Sequence, residues 1–143
     1  DPIHFGHLRL ALDLYQELKL QEIRFIPCRL PVLKSSTHVV EATLRVEMLR
    51  LAIKKQPNFV VDEREIKRTT PSYMIDTLLS LKADYPDKTL CLLLGIDALA
   101  TLPKWHRWEE LFSLAHLVVM NRPGFHGDLP AVLAPYYDTE DKT

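Results

Sequence analysis

The sequence contains few cysteines, which disfavours a cysteine-ligated metal site and a framework of disulfides. Cys28 and Cys91 are the two cysteines among 143 residues, and they lie far apart without the spacing of a metal site. This usage is typical of reduced thiols in a cytosolic protein. We therefore expect both cysteines to be free and buried.

An excess of charge and a long apolar run are also missing. The chain has 18 basic and 19 acidic residues and a net charge of −1, so it carries no overall basic field for duplex nucleic acid. A local site for an anion needs only a few donors and is not excluded. No apolar run approaches the roughly 20 residues of a membrane span, and no signal-peptide pattern is visible.

The composition that is present is that of a globular domain. Hydrophobic residues make up 47% of the chain and charged residues 26%. There is no internal repeat and no linker, which predicts a single domain over residues 1–143.

Helical and strand patterns alternate along the chain. Helices are predicted at Leu8–Leu18, Glu41–Gln56, Pro71–Tyr85, Asp97–Leu102 and Trp108–Leu114, and strands at Ile23–Pro27, Phe59–Asp62, Thr89–Leu94 and Leu117–Met120. In the second helix, Leu44, Met48, Leu51 and Ala52 share one face. The alternation predicts an α/β fold, a Rossmann-like doubly wound parallel sheet with helices on both faces. After Gly124 the pattern fades.

Loops that follow the carboxyl ends of parallel strands bind ligands in such folds. The opening stretch "HFGH" carries two imidazoles at the start of a helix. Gly6 allows close approach of a ligand, and His7 lies where free N–H groups favour an anion. Both His4 and His7 can donate hydrogen bonds to phosphate oxygens. The alternatives are two ordinary polar loop residues, or a zinc site that no nearby ligand set completes.

"DPIHFGHL" matches the H-x-G-H signature of the nucleotidyltransferase superfamily. The signature is shared with pantetheine-phosphate adenylyltransferases and cytidylyltransferases. The segments "DEREIKRTTPSYMIDTL" and "LLLGIDALATLPKWHRWEELFSLAHLVVMNRPG" are more specific. Together they resemble the bacterial nicotinate-nucleotide adenylyltransferases of cytosolic NAD synthesis, from Asp1 to about Gly124.

The resemblance implies transfer of AMP from ATP to nicotinate mononucleotide, giving deamido-NAD and pyrophosphate. It implies direct in-line attack on the α-phosphorus, with Mg²⁺ held mainly by the ATP phosphates and water. His4 and His7 are the implied catalytic residues, as donors that stabilise charge on the transferred group. ATP and the mononucleotide are the expected partners, with no nucleic acid or membrane, and the sequence does not determine the oligomeric state.

The resemblance also implies two sets of binding residues. The ATP set is His4, Gly6, His7, Gly95, Asp97 and Arg122. The Asp97 carboxylate can accept hydrogen bonds from ribose hydroxyls, and the alternative is that it caps the N-terminus of a helix. Arg122 can bind phosphate, and the alternative is a solvated surface arginine.

The acceptor set is Lys34, Thr70, Tyr73, Trp105 and His106. The indole of Trp105 can stack on the pyridine ring, although a core tryptophan is the alternative. Thr70 and backbone N–H groups near Tyr73 and His106 suit the nicotinate carboxylate, which selects acid over amide. Tyr73 also suits packing on a helix face.

The sequence departs from the family pattern in three places. Pro31-Val32-Leu33-Lys34 stands where the family has Pro-Pro-His-Lys, so Leu33 replaces a histidine beside Lys34. A strand with "GGTF" before the Asp-Pro and a late Ile-Ser-Ser-Thr segment have no counterpart. We therefore expect the chain to be truncated at both ends relative to the working enzyme.

Two other functions are open. A sister adenylyltransferase acting on nicotinamide mononucleotide or pantetheine phosphate shares the signature, although Trp105 and "TPSY" disfavour pantetheine phosphate. A non-catalytic nucleotide-binding module is the second, which the intact histidine pair disfavours.

Overall fold

The computed structural model describes residues 5–27, 37–121 and 129–136. The chain divides into two compact units, Asp1–Ser72 and Tyr73–Thr143, which are described separately. The prediction of one domain stays a prediction.

The first unit alternates helices and strands. Its elements are α1 (Phe5–Glu17), β1 (Ile23–Phe25), α2 (Thr37–Ala52) and β2 (Phe59–Val61). β1 and β2 pair in parallel, with Ile23 opposite Phe59 and Phe25 opposite Val61. A parallel pair needs a long crossover, and α2 lies in the connection that supplies it.

Aromatic contacts lie beside the strands of the first unit. The Phe59 side chain is buried, and its ring centroid lies 5.5 Å from that of Phe25 and 5.6 Å from that of Tyr15, the latter edge-on. Asn58 donates a hydrogen bond to the Tyr15 hydroxyl. Edge-on rings add a specific geometry to the apolar burial, so these contacts fix how α1 lies on β2.

The buried face of α2 is not the face that carries Leu44, Met48, Leu51 and Ala52. Leu44, Met48 and Leu51 are exposed, whereas the buried residues are Ala42, Val46, Leu49 and Ile53. Both sets recur at helical spacing, so α2 carries two apolar stripes. The periodicity was compatible with either stripe, and the neighbouring elements decide which one is covered.

The described part of the second unit consists of three helices, two strands and several 3₁₀ turns. Its elements are α3 (Met74–Asp84), β3 (Cys91–Gly95), α4 (Ile96–Thr101), α5 (Leu111–Leu114) and β4 (His116–Met120), with 3₁₀ turns at Leu102–Lys104, Trp108–Glu110 and Ala131–Tyr136. β3 and β4 pair in parallel from Cys91 opposite His116 to Gly95 opposite Met120. Parallel pairing confirms the predicted strand arrangement within each unit.

α3 begins at Met74 and not at Pro71. Tyr73 has an extended backbone (φ −108°, ψ 141°), and it caps the helix without a side-chain hydrogen bond. Pro71 and Ser72 lie before the helix. The proline therefore belongs to the extended connector rather than to the first helical turn.

The 3₁₀ turn Ala131–Tyr136 was not predicted, because its sequence has no helical period. Leu133 is almost fully buried. Tyr136 stacks on Phe112 with centroids 4.0 Å apart and meets Trp108 edge-on at 5.8 Å. These tertiary contacts hold the turn against the Trp108–Leu114 segment.

The expectation of buried cysteines is wrong for Cys91, which is exposed at the first residue of β3. Cys28 lies outside the described residues. Of the helices in the described ranges, none is long and apolar enough to cross a membrane.

Candidate functional site

The turn at the carboxyl end of β3 holds two of the predicted ATP residues. Gly95 ends β3 and caps α4 with an extended backbone (φ −70°, ψ 157°) that any residue can adopt. A Cβ added to Gly95 meets no described atom within 4 Å. Neither the backbone conformation nor the packing of the described residues therefore requires glycine there.

Asp97 is exposed in the first turn of α4. The interpretation of Asp97 as the N-cap is wrong, because Gly95 occupies that position. A carboxylate in the first turn is favoured by the positive end of the helix dipole. Its side chain stands near the β3 carboxyl end, where the predicted nucleotide site lies.

Trp105 is held by a short chain of hydrogen bonds. Its indole Nε1 donates to Thr101 Oγ1 at 3.1 Å, and that hydroxyl donates to the Ala98 carbonyl at 2.8 Å. Its backbone N–H donates to the carbonyl of Leu102, a residue with no exposed surface. Trp105 itself is half-buried. The indole is therefore oriented at the surface of the unit and is not part of the core.

Tyr73 and His106 bring two of the predicted segments together. Their ring centroids lie 4.5 Å apart with an interplanar angle of 36°. Tyr73 is 43% exposed and precedes α3, so it does not pack on a face of that helix. Its carbonyl accepts hydrogen bonds from the backbone N–H groups of Asp76 and Thr77. Tyr73, the last residue of "TPSY", thus meets the "KWH" segment within the second unit.

The residue after His106 has an unusual backbone. Arg107 lies in the left-handed region (φ 52°, ψ 40°), which is uncommon for a residue with a side chain. Its guanidinium donates to both Glu110 carboxylate oxygens, one of them at 2.8 Å. The hydrogen bond with Glu110 raises the pKa of Arg107, and the same bond lowers the pKa of Glu110. This ion pair joins Arg107, at the left-handed corner, to Glu110 three residues later.

An open cavity of about 240 Å³ lies at the same corner. It is lined by Arg107, Trp108, Glu109 and Glu110. Its walls carry charges of both signs and one indole.

In the first unit, Thr70 is exposed in the connector that follows β2. The start of that connector is fixed by Asp62, whose carboxylate accepts hydrogen bonds from Arg24 at 2.9 Å and from the side chain and backbone of Arg64 at 2.9–3.0 Å. Burial by itself raises the pKa of Asp62, but the hydrogen bonds from Arg64 and Arg24 outweigh it, and the pKa lies below its usual value.

Gly6 and His7 lie in the first turn of α1, which begins at Phe5, three residues before the predicted start. The prediction that His7 stands at a helix start is confirmed by this backbone. His4, Lys34 and Arg122 lie outside the described residues.

Sequence reasoning missed residues in each unit that support predicted site residues of the same unit. Thr101, Arg107 and Glu110 orient or brace the Trp105–His106 segment, and Asp62 anchors the connector before Thr70. Thr101 stands four residues before Trp105, a helical spacing that could have indicated the contact. The left-handed corner at Arg107 has no such signal, since glycine or asparagine is more usual there. Within the described ranges, no three His, Cys, Asp or Glu side chains are grouped to hold a metal ion.

Comparison with known proteins accounts for almost the whole chain. The profile of the Cytidylyltransferase-like family matches residues 1–142. A probable nicotinate-nucleotide adenylyltransferase of Aeromonas salmonicida is 52% identical over 134 residues, which are 94% of this chain and 62% of that protein. Proteins with the same name are 46% identical in Methylococcus capsulatus (87% of this chain, 60% of that protein) and 41% identical in Psychromonas ingrahamii (98% and 67%).

The chain spans about three-fifths of the length of the first of these relatives. The two parallel strand pairs with their alternating helices agree with the Rossmann-like α/β fold of this family. By the match to the family profile over nearly its full length, the chain belongs to the cytidylyltransferase-like family of nucleotidyltransferases.

Proposed function

We propose that this chain carries the nucleotide and acceptor sites of an adenylyltransferase that joins ATP and nicotinate mononucleotide in NAD biosynthesis. One observation carries the choice of acceptor: Tyr73 and His106, from the two segments most specific for this activity, lie in ring contact beside an oriented Trp105. Relatives at 41–52% identity bear the name of this activity. We place the reaction in the cytosol, the compartment that this synthesis implies.

The proposed reaction is a direct displacement. A phosphate oxygen of nicotinate mononucleotide forms a bond to the α-phosphorus of ATP as the bond from that phosphorus to the β-bridging oxygen breaks. Deamido-NAD forms, and pyrophosphate leaves with the electron pair of the broken bond. Charge accumulates on phosphate oxygens, so this chain contributes mainly alignment and fixed hydrogen-bond donors.

On the ATP side, we assign the phosphates to the start of α1. This helix has 13 residues, and its N-terminus has free N–H groups and the positive end of the helix dipole. Gly6 and His7 lie in its first turn. His4 and Arg122 are proposed as further phosphate donors. Asp97 is proposed to accept hydrogen bonds from the ribose hydroxyls.

Mg²⁺ is proposed to enter with ATP, bound to its phosphates and to water. Mg²⁺ usually keeps several waters and is bound through substrate phosphates in sites of this kind. When bound, the ion neutralises charge between neighbouring phosphate oxygens.

On the acceptor side, the indole of Trp105 is proposed to stack on the pyridine ring. Thr70 and the backbone N–H groups near Tyr73 and His106 are proposed to bind the nicotinate carboxylate, and Lys34 the phosphate. A carboxylate accepts from these donors with both oxygens, whereas an amide presents N–H groups to them. That mismatch makes the site selective for the acid.

The function is tested by following pyrophosphate release from ATP and Mg²⁺ with the full-length protein and each acceptor in turn. We expect turnover with nicotinate mononucleotide and much less with nicotinamide mononucleotide or pantetheine phosphate. A preference for the amide would overturn the assignment of the acceptor. Turnover with none of the three would favour a non-catalytic nucleotide-binding module.

Replacing Gly95 tests the ATP side. Because an added Cβ meets open space and the backbone is extended, Gly95→Ala is expected to leave the melting temperature unchanged or slightly higher. The methyl group then stands where the nucleotide approaches, and the KM for ATP is expected to rise about tenfold, the effect of losing roughly 1.4 kcal/mol. An unchanged KM for ATP in a folded Gly95→Ala protein would remove Gly95 from the site.

Replacing Trp105 tests the acceptor side. Stacking of an aromatic side chain on a base is worth about 1–3 kcal/mol, so Trp105→Ala is expected to raise the KM for nicotinate mononucleotide by about fivefold or more. The KM for ATP should change little. Trp108→Phe is the matched control, because Trp108 packs against Phe112 and Tyr136 and keeps an aromatic ring in this variant. Equal effects of the two substitutions would argue against stacking by Trp105.

A further inference from the structure

The imidazole of His106 contacts the ring of Tyr73, and the residues on both sides of His106 make backbone hydrogen bonds. On one side of His106, the backbone N–H of Trp105 is bonded to Leu102, which is fully buried. On the other side, the carbonyl of Arg107, whose backbone is in the left-handed region, accepts a hydrogen bond from the backbone N–H of Glu110. Backbone hydrogen bonds are therefore present at both neighbours of His106.

The side chain of Tyr73 is exposed at the surface of the second unit, as is that of His106. Tyr73 is 43% exposed, it stands in an extended stretch before α3, and its hydroxyl-bearing ring meets the imidazole at 4.5 Å. An exposed aromatic side chain has access to several χ1 rotamers unless a neighbour selects one. The contact with His106 supplies that selection, since tilted aromatic pairs at this distance are attractive.

We infer that His106 acts through its side chain as a positioning residue, holding the Tyr73 ring in the orientation that borders the acceptor site. This inference rests on the proposed function and extends it: the backbone of His106 was assigned to the carboxylate, whereas its imidazole is assigned here to Tyr73. The requirement on residue 106 is then for a planar ring, and not for a proton donor or a charge.

The test is steady-state kinetics on the full-length protein with His106→Ala and His106→Phe. Loss of an aromatic pair predicts that His106→Ala raises the KM for nicotinate mononucleotide about threefold to tenfold. The KM for ATP should stay as in the wild type. His106→Phe, which keeps a ring, should restore the KM of the acceptor to within about twofold of wild type. Glu109→Ala, an exposed change in the same segment, is the control with no expected effect.

A double-mutant cycle separates positioning of Tyr73 from a direct contact of His106 with substrate. In a Tyr73→Ala background, the further change His106→Ala should have little additional effect on the KM of the acceptor. A full additional effect in that background, or failure of His106→Phe to rescue, would overturn the inference while leaving the proposed function intact. Absence of turnover in the wild-type protein would instead overturn the proposed function, and this inference with it.

Discussion

Substitution of His7 by alanine is expected to lower kcat for adenylyl transfer about a hundredfold, the effect of losing about 3 kcal/mol of transition-state stabilisation from one fixed donor. His7 lies in the first turn of α1, where the helix dipole and free N–H groups already favour phosphate. We propose that a histidine at this position adds one more hydrogen-bond donor for the phosphate oxygens, on which charge grows during the displacement. The loss should therefore appear mainly in kcat and less in the KM for ATP.

Arg9→Ala is the matched control for His7. Arg9 is on the same helix, is largely exposed, and pairs with Asp13 one turn later. Such a surface pair contributes little to stability, so this variant should keep wild-type kcat. A His7→Ala enzyme with wild-type turnover would remove the catalytic role of His7. A similar loss in Arg9→Ala would point to damage of α1 as a whole.

Substitution of Asp62 by asparagine is expected to lower the free energy of unfolding of the first unit by about 3 kcal/mol, as for breaking other partly buried ion pairs. The Asp62 side chain is 8% exposed and lies between Arg24 and Arg64, whose side chains are 23% and 16% exposed. Asparagine keeps the size but not the charge, and it leaves both guanidinium groups without their shared carboxylate. Urea denaturation followed by circular dichroism measures the difference.

The same carboxylate predicts how stability depends on pH. The pKa of Asp62 in the folded protein lies below the ordinary value of 3.8. A group whose pKa is lowered by folding stabilises the protein above its unfolded pKa, and this contribution is lost as the pH falls through the folded value. The gap in stability between wild type and Asp62→Asn should therefore be widest above about pH 5 and shrink on acidification below about pH 4.

Glu63→Gln is the control for Asp62. Glu63 is the next residue and also pairs with an arginine, Arg50 at 2.9 Å, but the two side chains are 32% and 53% exposed. An exposed pair contributes about 0–1 kcal/mol, so the loss should be small and should fall further in high salt. Equal losses in the two variants would show that the buried position of Asp62 has no special effect.

The sequence alone determined the class of fold, and it predicted the type of ligand. Short apolar runs alternating with amphipathic ones predicted parallel strands, because strands that follow a helical crossover run in the same direction. "HFGH" predicted a histidine at a helix start, and α1 has His7 in its first turn. These features depend on neighbours along the chain, which a local pattern records.

Local patterns failed where a residue's role depends on what packs against it. In α2, the exposed stripe with Leu44 and Met48 and the buried stripe with Val46 and Leu49 have the same periodicity. In β3, Cys91 follows the apolar strand pattern but is exposed at the first position of the strand. Periodicity states which residues share a face, and it does not state which face a neighbour covers.

Local sequence patterns thus predicted the parallel α/β arrangement, a phosphate-binding start of α1, and Tyr73, Trp105 and His106 as acceptor candidates. The contacts of Tyr73 with His106, of Thr101 with Trp105 and of Asp62 with two arginines became visible only in the folded chain. The two kinds of feature differ in how far along the chain the interacting residues lie. Helix and strand periods arise from backbone geometry over a few residues, whereas these contacts join side chains whose approach is fixed by the packing of whole elements.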